Sequence, residues 1–442
     1  MREGFMEYSL NELMKNDGFL CPSCGKRHWG KCKECITGKT AMDSFVPTVE
    51  KYGITKPFVL CDRETYAAAG KLGCESLESA GIPFVLHTVE RAHPAPDERI
   101  VGEAAMYFER SCDGIVVFGS GVLNDTGKIL ANMTDLPYIL IATAPSMDGF
   151  ASATSSMERS GLKVSLNSKC PDCVIGDARI LAKAPAHMIA SGIGDMLAKY
   201  VSIVEWKIAA LLVGDEYCET VAEIVKSALD KCVEYGEAAV KGDEDAVLRV
   251  MEGLVISGLA MNYAGISRPA SGMEHYISHI IDMRALEFGT PSDLHGIQCG
   301  IASLVTIRGY EKLKTYTPDH EKALAYADSF SIDRWNDFLS EKLGHGGASM
   351  IEGERREGKY DKEKHAERLE KIIAHWDRIV GYIGELPDSG ELEAFMKKIG
   401  HPTSFAEIGL SEADCHDAFI MAKDIRDKYV LGRLLWDLGI LE

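Results

Sequence analysis

The sequence predicts an α/β nucleotide-binding type of domain with a parallel sheet, followed by an all-helical domain. Four short apolar segments between residues 56 and 142 alternate with amphipathic, helix-like segments. Continuous apolar strands separated by helices are typical of a parallel sheet covered on both faces. After Pro185, apolar residues recur at helical spacing and no further segment is typical of a strand. We therefore predict a Cys-rich appendage, an α/β domain and an all-helical domain, with bounds at 1–43, 44–182 and 183–442.

The elements of the α/β domain follow from these segments in order. The predicted strands are 56–62, 82–87, 114–118 and 137–142. The predicted helices between them are 65–80, 97–110 and 124–132. Segment 162–180 predicts a β-hairpin or paired strands, with 164–166 against 173–177.

The helical domain is predicted from period-3.6 patterns. Its helices are expected at 193–213, 217–240, 246–263, 273–288, 297–310, 359–382 and 412–435. Segment 349–358 is charged and contains glycine, which predicts an exposed loop or a frayed helix start.

Composition limits the function classes. The chain has 442 residues and a net charge of −19, which disfavours nucleic-acid binding as the main activity. An anionic small substrate stays possible, because it needs only a local positive site. Residues 1–7 have no apolar signal core, and no apolar run has the length of a membrane span. We expect a cytoplasmic protein that does not bind membranes.

Thirteen cysteines without a leader indicate thiols or metal ligands, not disulfides. Two CxxC pairs near the N-terminus predict a metal-binding knuckle with a structural zinc, formed by Cys21, Cys24, Cys32 and Cys35. His28 could replace one cysteine, and free thiols are the alternative. The pair Cys170 and Cys173 is interpreted as incidental. The remaining seven are interpreted as core or strand positions: Cys61, Cys74, Cys112, Cys218, Cys232, Cys299 and Cys415.

Polar residues and glycines follow three of the predicted strands. In a parallel sheet, ligands bind at the carboxyl ends of the strands. Asp62 could accept from a ribose hydroxyl, although a helix cap is the ordinary alternative. Gly119, Ser120 and Gly121 allow the backbone to approach a pyrophosphate, with a tight turn as the alternative. The loop after the fourth strand offers hydroxyls and a carboxylate at Thr143, Ser146, Asp148 and Ser152.

One carboxylate and two imidazoles each lie just inside an apolar, helix-like segment: Asp195, His275 and His295. Three such ligands leave an open coordination position on a divalent metal, as a catalytic site needs. The alternative is three unrelated polar residues near helix ends. His279 is one helical turn after His275 and therefore on the same face.

Four motifs together carry a resemblance to a known family. They are Phe118-Gly-Ser-Gly-Val-Leu-Asn-Asp125, Ala142-Thr-Ala-Pro-Ser-Met-Asp-Gly-Phe150, Ala190-Ser-Gly-Ile-Gly-Asp195 and Ser267-Arg-Pro-Ala-Ser-Gly-Met-Glu-His275. The chain resembles the sn-glycerol-1-phosphate dehydrogenases, above all their bacterial members, over roughly residues 45–440. This family lies in a superfamily with glycerol dehydrogenase, iron-containing alcohol dehydrogenases and 3-dehydroquinate synthase. The resemblance implies the dehydroquinate synthase-like fold.

The resemblance also implies the site residues. It implies a catalytic divalent metal, zinc or nickel, bound by Asp195, His275 and His295. It implies that the nucleotide contacts Asp62, Gly119, Ser120, Gly121, Asp125, Thr143, Ser146 and Ser152. Asp148 matches a substrate-side position. The cysteine knuckle lies outside the part of the family pattern that can be transferred.

The expected reaction is the metal-dependent reduction of dihydroxyacetone phosphate by NAD(P)H, and its reverse. Asp62 would repel a 2′-phosphate, which predicts a preference for NAD(H) over NADP(H). His279 is expected to relay a proton, to bind the substrate phosphate or to be structural. We also expect a homo-oligomer. The alternatives are a glycerol or polyol dehydrogenase, a dehydroquinate synthase-like lyase and, from another class, a metal-binding regulator that uses the cysteine knuckle.

Overall fold

A computed structural model describes residues 9–14, 18–92, 94–160 and 162–441. Residues 1–7, from which we predict no signal peptide, lie outside the described residues. The chain forms two compact units: Met1–Met196 with Glu219–Ile266, and Leu197–Cys218 with Ser267–Glu442. The predicted domain bounds at 1–43, 44–182 and 183–442 stay a prediction.

The first unit is built on a six-stranded sheet in which every neighbouring pair is parallel. Its order is β3-β10-β7-β6-β4-β5, with β3 (Glu34–Gly38), β4 (Pro57–Asp62), β5 (Val85–Val89), β6 (Gly114–Gly119), β7 (Tyr138–Ala142) and β10 (Cys173–Asp177). Two antiparallel hairpins complete the strands: β1 (Phe19–Leu20) with β2 (Arg27–His28), and β8 (Thr154–Arg159) with β9 (Leu162–Asn167). The predicted parallel sheet is confirmed.

The strands form because their apolar runs have helices to cover them. All residues of β6 and β7 are buried, and one core cluster joins both strands to residues of the flanking helices, such as Phe45 and Leu77. The helices of this unit are α1 (Leu10–Leu13), α2 (Phe45–Lys51), α3 (Arg63–Thr65), α4 (Lys71–Ser79), α5 (Glu98–Tyr107), α6 (Gly121–Thr134), α7 (Ala178–Leu181), α9 (Glu219–Ala239) and α10 (Glu244–Ala264). A π-helical segment at Tyr66–Gly70 connects α3 to α4. Helix α8 (Ala186–Val213) contains the division between the units.

Two strand assignments differ from the prediction. The expected pairing of 164–166 with 173–177 is wrong, because β9 pairs with β8 and β10 pairs with β3 and β7. All of β10 is buried, as suits an inner strand of a parallel sheet. The edge strand β3 was not predicted, because its five residues include Cys35, which the CxxC spacing assigned to a metal knuckle.

The second unit is helical, and the prediction of a mainly helical C-terminal part is confirmed. Its helices, after the second part of α8, are α11 (Met273–Phe288), α12 (His295–Leu313), α13 (His320–Ser329), α14 (Ile332–Leu343), α15 (His345–Glu357), α16 (Lys362–Ala374), α17 (Trp376–Ile383), α18 (Ser389–Lys398), α19 (Glu412–Ala422) and α20 (Leu431–Asp437). Within the described ranges, no helix is both long and apolar enough to cross a membrane.

Three helix predictions in this unit need correction. Segment 349–358 lies mostly in the interior and end of α15, so it is neither a loop nor a helix start, and the expected helix 359–382 is interrupted at His375. The expected helix 412–435 is interrupted between α19 and α20. The cause lies at Asp424, which is buried and bonded to Lys423 at 3.1 Å, to the indole N–H of Trp335 at 2.8 Å and to Arg433. These polar contacts replace the continuous helix.

Candidate active site

The glycine loop lies at the carboxyl edge of the sheet. Strand β6 ends at Gly119, and α6 begins at Gly121. A Cβ on Gly119 would lie 2.6 Å from Cβ of Leu123, so only glycine allows this close turn. The start of a 14-residue helix presents unpaired backbone N–H groups and a partial positive charge. This arrangement suits a phosphate group.

The loops after β6 and β7 are joined by hydrogen bonds. The hydroxyl of Ser120 donates to the carbonyl of Ala144 at 3.1 Å and also contacts Oγ of Ser146. The amide of Thr143 donates to the carbonyl of Gly119 at 3.1 Å. The structure therefore brings four of the predicted nucleotide residues to one edge: Gly119, Ser120, Thr143 and Ser146.

Asp62 ends β4, which is the neighbour of β6 in the sheet. Its carboxylate accepts the amide of Thr65 at 2.7 Å and caps α3. The helix-cap alternative is therefore present in the structure. The capping carboxylate can also accept from a ribose hydroxyl, because it has two oxygens and about four acceptor positions.

Asp125 and Ser152 contact a residue that the sequence analysis missed, Lys128. Its ammonium is fully buried and donates to Oδ1 of Asp125 at 3.3 Å and to Oγ of Ser152 at 3.0 Å. It also donates to the carbonyl of Gly149 at 2.6 Å. Burial raises the pKa of the Asp125 carboxyl, and the charge of Lys128 opposes that rise. These contacts hold the loop after β7 against α6, so Asp125 and Ser152 have a structural role here.

Asp148 and Asp195 lie together within the first unit. The backbone N–H of Asp148 donates to Oδ2 of Asp195 at 2.9 Å, and the hydroxyl of Ser257 donates to the Asp148 carboxylate at 2.8 Å. Gly192 permits this approach, because a Cβ there would lie 1.9 Å from the carbonyl oxygen of Pro145. Close packing of α8 on the loop after β7 thus explains why residue 192 is glycine.

His275, His295 and Cys299 converge within the second unit. One potential ligand atom from each lies within 4.8 Å of the others. His275 is in the first turn of α11, and His295 is the first residue of α12. Sγ of Cys299 lies 3.6 Å from Nε2 of His295. Two imidazoles and a thiol are ligands suited to zinc, nickel or iron.

Two further residues orient the imidazoles. Oε1 of Glu274 lies 2.9 Å from Nδ1 of His275, and a carboxylate only accepts, so this nitrogen carries the proton. Nε2 of His275 is then the unprotonated ring nitrogen, which is the tautomer of carboxylate–histidine–metal arrangements. Nδ1 of His295 is bonded to Oγ of Ser278 at 3.1 Å. Both imidazoles are thus held in position through Nδ1.

Cys299 was interpreted as a scattered core position; it is fully buried, and it also lies beside His275 and His295. Burial raises the pKa of its thiol, but His275 and His295 outweigh burial and lower the pKa below its usual range. The sequence spacing indicates that Cys299 lies near His295, because it is four residues later on α12 and therefore on the same helix face. Glu274 and Ser278 were missed because neither residue is part of a metal-ligand motif in the sequence.

His279 lies on the same helix as His275 and is buried. Its ring stacks on His295, with ring centroids 5.9 Å apart and planes at 23°. His279 therefore lies beside His295, and this position is compatible with each of its three expected roles.

The four N-terminal cysteines do not group as predicted. Cys21 and Cys24 lie with His28, whereas Cys35 is in β3 and Cys32 donates to the carbonyl of Glu34 at 3.3 Å. The physical reason is the sheet, since β3 pairs with β10 and takes Cys35 into the strand ladder opposite Val174.

The chain is similar to known proteins over most of its length. The family model described as iron-containing alcohol dehydrogenase matches residues 36–185. A glycerol-1-phosphate dehydrogenase [NAD(P)+] from Bacillus velezensis is 30% identical over 402 residues, which cover 90% of this chain and 89% of that protein. The protein of that name from Bacillus subtilis is 33% identical over 308 residues, covering 67% of this chain and 78% of that protein.

A solved structure shows the same fold. The alcohol dehydrogenase from an archaeal, halo-thermophilic Red Sea brine pool source aligns with a TM-score of 0.61 at 14% identity. The alignment covers 94% of this chain and 98% of that chain. At this identity the likeness concerns the fold alone.

Proposed function

The chain belongs to the glycerol-1-phosphate dehydrogenase family, and from this premise we propose how its residues carry out the reaction. The enzyme reduces dihydroxyacetone phosphate to sn-glycerol 1-phosphate with NAD(P)H and catalyses the reverse reaction. The observation that carries the site assignment is the convergence of His275, His295 and Cys299, with Glu274 fixing the tautomer of His275.

We assign the metal ligands as Asp195, His275 and His295. The donors fit a divalent metal, because each histidine offers an imidazole nitrogen and Asp195 offers a carboxylate oxygen. When bound, a divalent metal polarises the substrate ketone as a Lewis acid. The backbone N–H of Asp148 donates to Oδ2 of Asp195 and so orients the carboxylate that we assign to the metal.

The nucleotide is assigned to the carboxyl edge of the sheet. The pyrophosphate is held by the N–H groups at Gly119–Gly121, and Asp62 accepts from the ribose diol. Thr143 and Ser146 line the neighbouring loop. Asp125 and Ser152 support that loop through Lys128. Asp148 is assigned to the substrate, held in place by Ser257.

The proton that completes ketone reduction is assigned to His279. The hydride reaches the carbonyl carbon, and a nearby acid must then protonate the oxygen. His279 is one turn after His275 on α11 and stacks on His295, so it is suited to this relay. Binding of the substrate phosphate and a purely structural role are the alternatives.

The test is oxidation of NADH by dihydroxyacetone phosphate. The protein is stripped of metal, reloaded with zinc, nickel or iron in turn, and assayed with each. We expect ketone reduction to depend on added metal and His275→Ala to lose it, while NADH binding remains. Turnover of glycerol or another polyol in place of the phosphorylated substrate would contradict the proposed substrate. Full metal content and activity in His275→Ala would contradict the ligand assignment.

His279→Ala separates the three roles of that residue. A relay predicts intact metal content and a rate lower by roughly 10²–10⁴-fold. Phosphate binding predicts a higher KM for dihydroxyacetone phosphate with little change in kcat. A structural role predicts a lower melting temperature with near-normal kinetics of the folded fraction.

Several finer statements stay predictions. They are the preference for NAD(H) over NADP(H), the choice between zinc and nickel, a cytoplasmic location and a homo-oligomer.

A further inference from the structure

The N-terminal hairpin holds a group of ligand-type atoms that the proposed reaction does not use. Sγ of Cys21, Sγ of Cys24 and a ring nitrogen of His28 lie within 4.8 Å of one another. Cys21 and His28 are buried. Cys21 follows β1, His28 ends β2, and Cys24 lies in the turn that connects them.

The turn has the geometry of a metal knuckle. The amide of Cys21 donates to the carbonyl of Lys26 at 2.8 Å, and the amide of Gly25 donates to the carbonyl of Cys21 at 3.0 Å. Gly25 has a φ of +68°, a left-handed conformation that glycine adopts without strain. The two sulfurs of a CxxC pair are thereby turned toward one point.

The tautomer of His28 is fixed for metal binding. Nδ1 of His28 lies 2.8 Å from the backbone carbonyl of Tyr263, and because a carbonyl only accepts, Nδ1 carries the proton. Nε2 is then the lone-pair nitrogen, and it lies 3.3 Å from Sγ of Cys24. Tetrahedral zinc with ordinary bond lengths would place sulfur and nitrogen ligands ~3.6 Å apart. The observed separation is close to that value.

The segment around Thr220 contacts the turn and contains a candidate for a fourth ligand. Ser23 lies between the two cysteines. Its Oγ accepts from the amide of Thr220 at 3.2 Å and from the hydroxyl of Thr220 at 3.0 Å. Cys218 is two residues before Thr220 and is buried. Two residues span at most ~7 Å, so Cys218 is within reach of the knuckle.

We propose that Cys21, Cys24, His28 and Cys218 bind a structural zinc ion. Three thiolates and one imidazole complete a tetrahedral shell and leave no open position for chemistry. Soft thiolates select zinc over magnesium or calcium. This set replaces the four cysteines predicted from spacing, because Cys35 lies in β3 and Cys32 donates to the carbonyl of Glu34 at the start of that strand.

The test measures zinc per chain by elemental analysis of the folded, gel-filtered protein. Cys21→Ser and His28→Ala should each lower the content by about one zinc per chain. Cys218→Ser should weaken zinc retention against a chelator. The matched controls are Cys32→Ser and Cys35→Ser, which should retain the zinc. His28→Cys should also retain it, because a fourth thiolate replaces the imidazole.

These measurements distinguish the proposed ligand set from the four-cysteine set, and both from the absence of a metal site. Loss of zinc in Cys32→Ser and Cys35→Ser would overturn the proposed set and restore the four-cysteine knuckle. Unchanged zinc content in Cys21→Ser and His28→Ala would remove the site altogether. The measurement does not depend on dihydroxyacetone phosphate reduction, so it can fail while the proposed reaction stands.

Discussion

Oδ2 of Asp195 accepts the backbone N–H of Asp148 at 2.9 Å, so a proposed metal ligand also holds the loop that follows β7. Asp195 is fully buried, and its carboxylate satisfies a backbone donor that would otherwise lose its partner on burial. The position of the loop and the position of the ligand therefore depend on each other. Substitutions at Asp195 can separate these two roles.

Asp195→Asn keeps an oxygen that can accept from Asp148 but removes the negative charge. We expect metal affinity to fall by more than the ~10–100-fold typical of losing a residue that only orients a ligand. The melting temperature of the metal-free protein should change little. Asp195→Ala should lose the metal and also lower that melting temperature, because the Asp148 amide loses its acceptor. Metal titration and thermal unfolding measure both effects, and full metal content in Asp195→Asn would contradict the ligand role.

Glu274 is expected to act through His275. Glu274→Ala removes the acceptor at Nδ1, so the imidazole loses its fixed tautomer and orientation. Metal affinity should fall ~10–100-fold, with a smaller effect in Glu274→Gln, which keeps an acceptor oxygen. Glu354→Gln is the control, because it also alters a buried glutamate of the helical unit. Equal metal affinity in Glu274→Ala and Glu354→Gln would contradict the orienting role.

Asp62→Asn tests cofactor preference without removing the helix cap. Asn is as good an N-cap as Asp, so the bond to the Thr65 amide can persist. Loss of the charge removes repulsion of a 2′-phosphate, so the ratio of kcat/KM for NADH over NADPH should decrease. Asp319→Asn, which alters the N-cap of α13, should leave the ratio unchanged. An unchanged ratio in Asp62→Asn would show that Asp62 serves only as a cap.

Much of this site could be predicted because it follows continuous local patterns. Buried apolar runs located the strands, and the polar residues after β4, β6 and β7 followed from the rule for parallel sheets. His275 and His295 were located at helix starts, as the structure has them. These features depend on residues close together in the chain.

The missed features depend on contacts between distant residues. Strand β3 was hidden because Cys35 fits both a CxxC pair and a strand, and only pairing with β10 decides between them. Lys128 has no sequence signal, since its partners at Gly149 and Ser152 come from a loop over 20 positions later. The interruption before α20 likewise involves the hydrogen bond between Asp424 and Trp335. The helical periodicity of the sequence gives no indication of this contact.

Gly192→Ala tests the packing of α8 on the loop after β7. The added Cβ would lie 1.9 Å from the Pro145 carbonyl oxygen, so backbone must move. We expect a loss of about 1–3 kcal/mol in the free energy of unfolding, as for overpacking, together with weaker metal binding. Gly102→Ala is the matched control, because this α5 glycine has nothing within 4 Å of an added Cβ. It should stabilise the protein by about 0.5–1 kcal/mol, and a similar gain in Gly192→Ala would refute the contact.

Glu205 predicts how stability depends on pH. Burial, together with the charge of Glu274, raises the pKa of the Glu205 carboxyl from 4.5 to about 8. The folded protein therefore holds a proton that the unfolded chain releases between these values. The stabilisation is complete below pH 4.5 and is lost as pH rises toward 8, with a slope of at most about 1.4 kcal/mol per pH unit.

Glu205→Gln removes this titration, so its free energy of unfolding should depend less on pH between 5 and 8. The variant should be somewhat less stable at pH 5, because its amide cannot reproduce all three bonds, from Met273, Leu431 and Tyr310. Urea unfolding of metal-free protein at several pH values provides the measurement, so that metal release does not contribute. Glu385→Gln, which removes a surface partner of Lys207, should retain the slope of the unmutated protein. Equal slopes in Glu205→Gln and Glu385→Gln would show that the Glu205 proton does not couple to folding.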